Sequence, residues 1–274
     1  MQHDEKCDFG VDRLIKAVTK NFGFWRDKRD PLGTHWHRMG DFVAEDIFIA
    51  GYPKSGNTWM QLVVASIVYG FNPEQVPDTL VQELVPDVHY IDRFKRFRTP
   101  TSFKTHSVPR PEYRRCIHLV RDGRDVMCSY RAFLSTLRDQ SVTIGGMLDS
   151  STKVPFGMWH DHTRKWIENP FKADILVVKY EDLKTRGAET LMQVADFIGT
   201  PISLQRANEI ADSTHVSKMK RREQTLGWDN QEWPEDANFV RRGISGGLRD
   251  ELTEADQDLI TQRFGDSLAH FGYL

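Results

Sequence analysis

Apolar positions in this chain gather into short continuous runs separated by longer mixed segments. That is the pattern of strands buried on both faces alternating with helices. The run Asp46-Ile-Phe-Ile-Ala-Gly51 predicts a buried strand, and Trp59 to Tyr69 is long and apolar enough to predict a helix packed in the core. Ser102-Phe-Lys-Thr105 predicts a short strand ending in His106. Cys116-Ile-His-Leu-Val-Arg121 predicts a clearer one, broken by Asp122-Gly123 into a helix from about Arg124 to Leu134. Asp174 to Tyr180 predicts a further apolar strand, and Glu189 to Ile198 a helix that Gly199-Thr-Pro201 stops. Asn72 to Pro100 is weakly periodic and reads as an insertion of short helices and loops. Strands alternating with helices imply an α/β fold with a mainly parallel central sheet covered on both faces, a three-layer sandwich. Ligands bind such sheets beyond the carboxyl ends of the strands, and Lys54, His106, Arg121 and Tyr180 each fall at or just after one.

Composition narrows the class without naming it. With 274 residues and no repeat, low-complexity tract or linker, the chain reads as a single domain spanning 1–274. A net charge of −2 with 28% charged residues describes an ordinary surface and not a nucleic-acid binder, so any anion site is built from local groups. No apolar stretch approaches the roughly 20 residues of a membrane span, and the residues through Asp30 show no signal-peptide core. Cys7, Cys116 and Cys128 fit neither a disulfide framework nor a Cys-x-x-Cys zinc pattern, which points to a reduced, cytoplasmic setting. His160 and His162 lie two apart, on different faces of a helix, and predict packed or solvated histidines with no metal site.

The candidate chemistry begins at Gly51-Tyr-Pro-Lys-Ser-Gly-Asn-Thr58, almost a P-loop. Gly51, Gly56 and Thr58 occupy the places of G-x-x-x-x-G-K-[ST], but Asn57 stands where the lysine belongs and Lys54 comes three residues early. Strand, glycine turn and helix still make an anion cradle of backbone N–H groups, so the fold expected is P-loop-NTPase-like. Three more clusters follow: Phe103-Lys-Thr-His106 with Pro109, Arg121-Asp-Gly-Arg-Asp-Val-Met-Cys-Ser129-Tyr130, and Arg241-Arg-Gly-Ile-Ser-Gly246. An arginine leaving a strand and a serine two helical turns later can meet on one phosphate. Each cluster alone also has a plain reading, as a turn, exposed strand-end residues, an ion pair at a helix start or a surface loop.

Together, in this order, the clusters resemble the cytosolic sulfotransferase family, whose donor is 3′-phosphoadenosine 5′-phosphosulfate (PAPS). Tyr52 to Trp59 is similar to the family's 5′-phosphosulfate loop, Lys104 to Pro109 to its Lys-Thr-His-x-x-Pro element, Arg121 to Tyr130 to its 3′-phosphate motif and Arg241 to Gly246 to its C-terminal glycine loop. Gly157 to His162 and Tyr180-Glu-Asp-Leu183 resemble further landmarks. The resemblance implies a donor-binding core at about 46–253, with acceptor-side insertions at about 72–100 and 135–156. It implies that Lys54, Ser55, Gly56, Asn57 and Thr58 hold the 5′-phosphosulfate, and that Trp59, Tyr180, Thr214 and Val216 flank the adenine. Arg121, Ser129, Arg241, Arg242 and Gly243 would bind the 3′-phosphate. His106 would be the general base, with Lys104 beside it and Lys54 near the bridging oxygen. A phosphosulfate carries less charge at its breaking bond than a nucleoside triphosphate, so one lysine and backbone N–H groups suffice without a metal. The Phe and Trp content of Asn21 to Trp25, 72–100 and 135–156 suits a small-molecule acceptor, an apolar or aromatic alcohol, and a polar glycan or an amine stays open. Two other readings of the same cradle remain: a P-loop kinase or NTPase, and a non-catalytic nucleotide-binding protein. Gly247-Leu248 replaces the family's usual Asp-Trp, and Glu254 replaces a valine of its dimerisation motif, which leaves a homo-oligomer open.

Overall fold

The computed structural model describes residues 36–138, 140–149, 153–227, 233–234, 239–240 and 251–274. Its centre is a four-stranded parallel sheet of β2 (Ile47–Gly51), β4 (Ser102–Thr105), β5 (Arg115–Val120) and β6 (Asp174–Lys179), in the order β4-β2-β5-β6. A small antiparallel pair, β1 (Trp36–Arg38) with β3 (Arg93–Lys95), stands apart from it. The predicted strands recur within a residue of their expected bounds, and Tyr180 opens a helix where the sequence placed a strand end.

Alternation along the strands sorts the core into layers. Ile47, Ile49, Ile117 and Leu119 point to one face, where α1 (Asn57–Tyr69), α6 (Tyr180–Thr185), α7 (Gly187–Ile198) and α8 (Leu204–Ser213) cover them. Phe48, Ala50, Phe103 and Cys116 point to the other, against Phe94, Tyr113 and Trp166. Beside that face a third cluster joins α3 (Gly123–Arg138), α4 (Ile144–Leu148), α5 (Trp159–Glu168) and α10 (Glu254–His270) around Trp159 and Phe264. Every residue of β2 is buried, so both of its faces contribute, each large side chain by about 1.5–3 kcal/mol.

Segment 72–100 holds a 3₁₀ turn (Pro73–Gln75), α2 (Asp78–Leu84) and β3, much as expected of short helices and loops. It is tied to the sheet's amino end by Asp46, fully buried, whose carboxylate takes Arg96 at 2.7 Å and the Thr101 N–H at 2.9 Å. Within 135–156, the side chains of Val142, Ile144, Met147, Leu148 and Val154 are buried in the third cluster, so this stretch contributes to the core. No helix among the described residues is long and apolar enough to cross a membrane.

Candidate active site

The loop from β2 to α1 is shaped by two positive-φ residues, Lys54 (φ 69°) and Gly56 (φ 102°). Gly56 caps α1 with no side chain, and the first helical turn carries no acid, so no side-chain cap among the described residues takes the leading N–H groups of the helix. A Cβ at Gly56 would lie 2.9 Å from the Tyr180 ring, and one at Gly51 would lie 2.5 Å from Asn57 Oδ1. Asn57 works as a strap: its amide donates to Tyr52 O at 2.9 Å and to Gly51 O at 3.3 Å, closing the loop across its own base. Among the described residues, Ser55 Oγ and Asn57 Oδ1 are buried without a hydrogen-bond partner. A buried hydroxyl left unpaired beside open helix N–H groups is what an anion's oxygens would satisfy, so these residues fit a bound phosphosulfate. Thr58 and Trp59 are half-buried in the first turn. The Lys54 ammonium lies over two rings, Phe133 at 4.4 Å and Phe239 at 4.3 Å.

His106 follows β4, adjacent to β2, and its Nδ1 lies 2.9 Å from Gly51 O. A carbonyl only accepts, so the proton sits on Nδ1 and Nε2 carries the lone pair. The Asn57 amide, 3.4 Å from the same Nδ1, is then a close donor and not a hydrogen bond. His162 Nε2 donates to His106 O at 3.0 Å, and the His106 N–H donates to His89 Nε2 at 2.9 Å. An unperturbed histidine titrates near 6.5. The structure differs: burial, helped by the Lys104 charge, pulls His106 down to about 3, while Asp87 pulls the other way. Lys104 is itself buried and its ammonium meets Asp87 at 2.9 Å. Phe156, in a left-handed conformation (φ 68°), sets its ring 5.3 Å from His106 and 5.0 Å from His89. Its neighbours are pinned by two tyrosines, Tyr52 OH on Gly157 O at 2.7 Å and Tyr130 OH on Pro155 O at 3.3 Å.

On the far side of the loop, Arg121 is buried, donates to Lys54 O at 3.2 Å, pairs with Asp125 at 3.5 Å and stacks its guanidinium 4.4 Å from the Tyr180 ring. Trp59 meets Tyr180 edge-on at 5.5 Å. Lys54, His106, Arg121 and Tyr180, which chain order placed at strand ends, therefore surround one loop. Ser129 is half-buried on α3, two turns after Arg121. Thr214 ends α8 with its hydroxyl bonded back to Ile210 O at 2.9 Å, and Val216 opens α9 (Val216–Leu226). Arg241, Arg242, Gly243 and the Gly247-Leu248 departure lie outside the described residues.

Comparison with known proteins then decides the class. The sulfotransferase domain model matches residues 44–272, nearly the whole of the described chain. This chain belongs to the sulfotransferase family. Sulfotransferase 1E1 of Mus musculus is 25% identical over 271 residues, covering 88% of this chain and 90% of the mouse protein. The Cavia porcellus sulfotransferase 1E1 is 27% identical over 249 residues, covering 81% and 83%. Among solved structures, mouse sulfotransferase SULT7A1 complexed with PAP shares the fold at a TM-score of 0.59 and 22% identity, over 84% of this chain and 88% of that one. Retinol dehydratase in complex with androsterone and inactive cofactor PAP does so at 0.62 and 17%, over 83% and 81%.

Two residues in this sulfotransferase's site escaped the sequence reading, and the contact made by a third, His162, did too. Asp87 and His89 sit in a segment read only as insertion, with no periodicity or motif to mark them. His162 was read as a packed or solvated histidine, and it is packed, but against the backbone of the residue expected to act as base. Chain position carried no signal for any of these contacts.

Proposed function

We propose that this sulfotransferase moves a sulfuryl group from PAPS to a hydroxyl, or an amine, of a small-molecule acceptor, with His106 as general base. The observation that carries the reading is the Nδ1–H bond from His106 to Gly51 O, which ties the proton acceptor to the first residue of the anion cradle. Bound there, PAPS would supply the sulfuryl group and an anionic phosphate that leaves. The loop N–H groups, Ser55, Asn57 and Thr58 would hold the 5′ end in line, with Gly56 giving the backbone its close approach. The Lys54 ammonium would move from its two rings to the charge that grows on the bridging oxygen. Trp59, Tyr180, Thr214 and Val216 are read as the adenine walls. Arg121 and Ser129 are read as 3′-phosphate donors, together with Arg241, Arg242 and Gly243.

His106 Nε2 would take the acceptor's proton as the sulfuryl group departs. An anion held in the loop raises the depressed His106 value toward working pH, so the base strengthens when the cradle is filled. Phe156, 5.3 Å from His106, and the exposed Tyr90, whose ring lies 5.9 Å from the Lys104 ammonium, support an apolar or aromatic alcohol as acceptor. The buried free thiol of Cys116 supports a reducing, cytoplasmic setting. The kinase reading loses its anchor, because the position a P-loop lysine would need is taken by the Asn57 strap.

The test is transfer of radiolabelled sulfate from PAPS to a panel of phenols, aliphatic alcohols and aromatic amines, using wild type, Lys54→Ala and His106→Ala. His106→Ala should lose roughly 10²–10⁴-fold in kcat. Full turnover by both variants on a working acceptor would refute the mechanism, and tighter binding of ATP–Mg²⁺ than of 3′,5′-bisphosphoadenosine would restore the kinase.

A further inference from the structure

Two residues outside every motif stand behind the base. The segment around Asp87 runs beside β4: the Lys104 N–H donates to Pro86 O at 2.9 Å, and the Val88 N–H donates to Lys104 O at 3.0 Å. This register puts the Asp87 carboxylate, 0% exposed, 2.9 Å from the Lys104 ammonium. Its second oxygen accepts the His89 N–H at 2.9 Å. His89 then turns its Nε2 to the backbone N–H of His106 at 2.9 Å, with its ring nearly parallel to the His106 ring at 6.0 Å. Because a backbone N–H can only donate, His89 Nε2 holds a lone pair there and the ring is neutral. Burial lowers the His89 value further from its ordinary range, against the pull of Asp87.

A buried ion pair gains little stability over well-packed apolar side chains, because desolvation cancels most of the attraction. Stability is therefore a poor reason for Asp87 and Lys104 to meet at the end of β4. What the pair does accomplish is geometric. It fixes a long, flexible lysine in one place and sets a negative charge near His106 to oppose the positive one. Burial by itself would raise the Asp87 carboxyl, but Lys104, His106, His89 and the His89 N–H together bring it below the usual carboxylate range, so it stays an anion.

We propose that Asp87 and His89 are positioning residues for sulfuryl transfer: Asp87 holds Lys104 beside His106 and offsets its charge, and His89 fixes the main chain from which His106 projects. This rests on the reading of His106 as base. Neither residue makes a hydrogen bond, ion pair or ring contact with residues 51–58, so the effect belongs to turnover and not to nucleotide binding.

The experiment compares full-length wild type with Asp87→Asn, Asp87→Glu, His89→Phe, His89→Gln and His106→Ala. It measures kcat and KM at saturating PAPS with naphthol as acceptor, or an acceptor from the panel above if naphthol is not turned over. Affinity for 3′,5′-bisphosphoadenosine is measured by calorimetry. Asp87→Asn and His89→Phe should lower kcat by roughly 10–100-fold, the scale of a small misplacement of a reacting group. Affinity for the bisphosphate should stay within about twofold. Asp87→Glu and His89→Gln, which keep an anion and an acceptor respectively, should recover part of the loss. If Asp87→Asn does not fold, the two His89 variants decide the matter by the same split. Unchanged kcat in the Asp87 and His89 variants, with activity lost in His106→Ala, overturns the positioning role and leaves the base standing. A parallel fall in kcat, bisphosphate affinity and melting temperature also overturns it, because the residues would then serve only the fold. Full activity in His106→Ala removes the base and this inference with it.

Discussion

At the scale of single residues, chemistry is set by what each side chain touches. His106 donates from Nδ1 to Gly51 O, so its neutral form carries the free lone pair on Nε2. Burial holds its pKa at about 3. Nitrogen-15 spectra of the free protein should therefore show the Nδ1-protonated neutral ring from pH 8 to about pH 5, with no titration near 6.5. A midpoint near 6.5 without ligand would contradict the geometry, whereas 3′,5′-bisphosphoadenosine should move the midpoint upward. Asn57 makes a second prediction. In Asn57→Ala the carbonyls of Gly51 and Tyr52 lose their amide donor. Chemical denaturation should read a loss of about 1–3 kcal/mol, the cost of buried polar groups left unpaired.

At the scale of elements, the start of α1 depends on a glycine no other residue replaces. Gly56 sits at φ 102°, and a methyl group there would press the Tyr180 ring. Gly56→Ala should cost about 1–2 kcal/mol for the left-handed backbone alone. By displacing Tyr180 it should also weaken bisphosphoadenosine binding in calorimetry, and unchanged affinity would separate Tyr180 from the nucleotide. The chain's last residues form another joint. Tyr273 OH donates to Glu181 at 2.9 Å, and Arg124 donates to Tyr273 O at 2.7 Å while pairing with Asp122 at 2.6 Å. The tail after α10 thus braces the two turns that carry Arg121 and Tyr180. Tyr273→Phe should lower stability by about 1–3 kcal/mol in thermal or chemical denaturation.

At the scale of the whole molecule, buried neutral histidines tie stability to pH. His106 and His118 are held at about 3 and His162 at about 4, all mainly by burial. In the unfolded chain these rings protonate near 6.5, so between about pH 6.5 and 4 the unfolded state binds more protons. Their stabilisation is complete above pH 6.5 and is lost as pH falls toward 4. The slope per ring is at most about 1.4 kcal/mol per pH unit. His118 lies on β5 against Trp166, on the sheet's far face from α1, and takes no part in the proposed chemistry. His118→Phe should flatten the pH dependence of the unfolding free energy in this window by up to that amount, and an unchanged slope would show that the ring is protonated in the folded state.

Much of this architecture was legible in the chain because its signals are local. Continuous apolar runs marked β2, β5 and β6, the Gly51–Gly56 spacing marked the anion loop, and strand ends marked Lys54, His106, Arg121 and Tyr180. Other elements left weaker traces. α9 fully buries only Arg222, so its pattern is almost wholly polar, and β1 and β3 run three residues each, too short for any period to show. Residue types in register along the chain thus determined a parallel α/β sheet and a glycine turn opening a helix, the local form of an anion cradle. Tertiary structure alone decided the proton's place on His106, the loss of its ordinary pKa, the capture of Lys104 by Asp87 and the support from His89 and His162. Those properties arise from contacts between segments far apart in sequence, and from the removal of water around them, and neither leaves a mark on the order of residues.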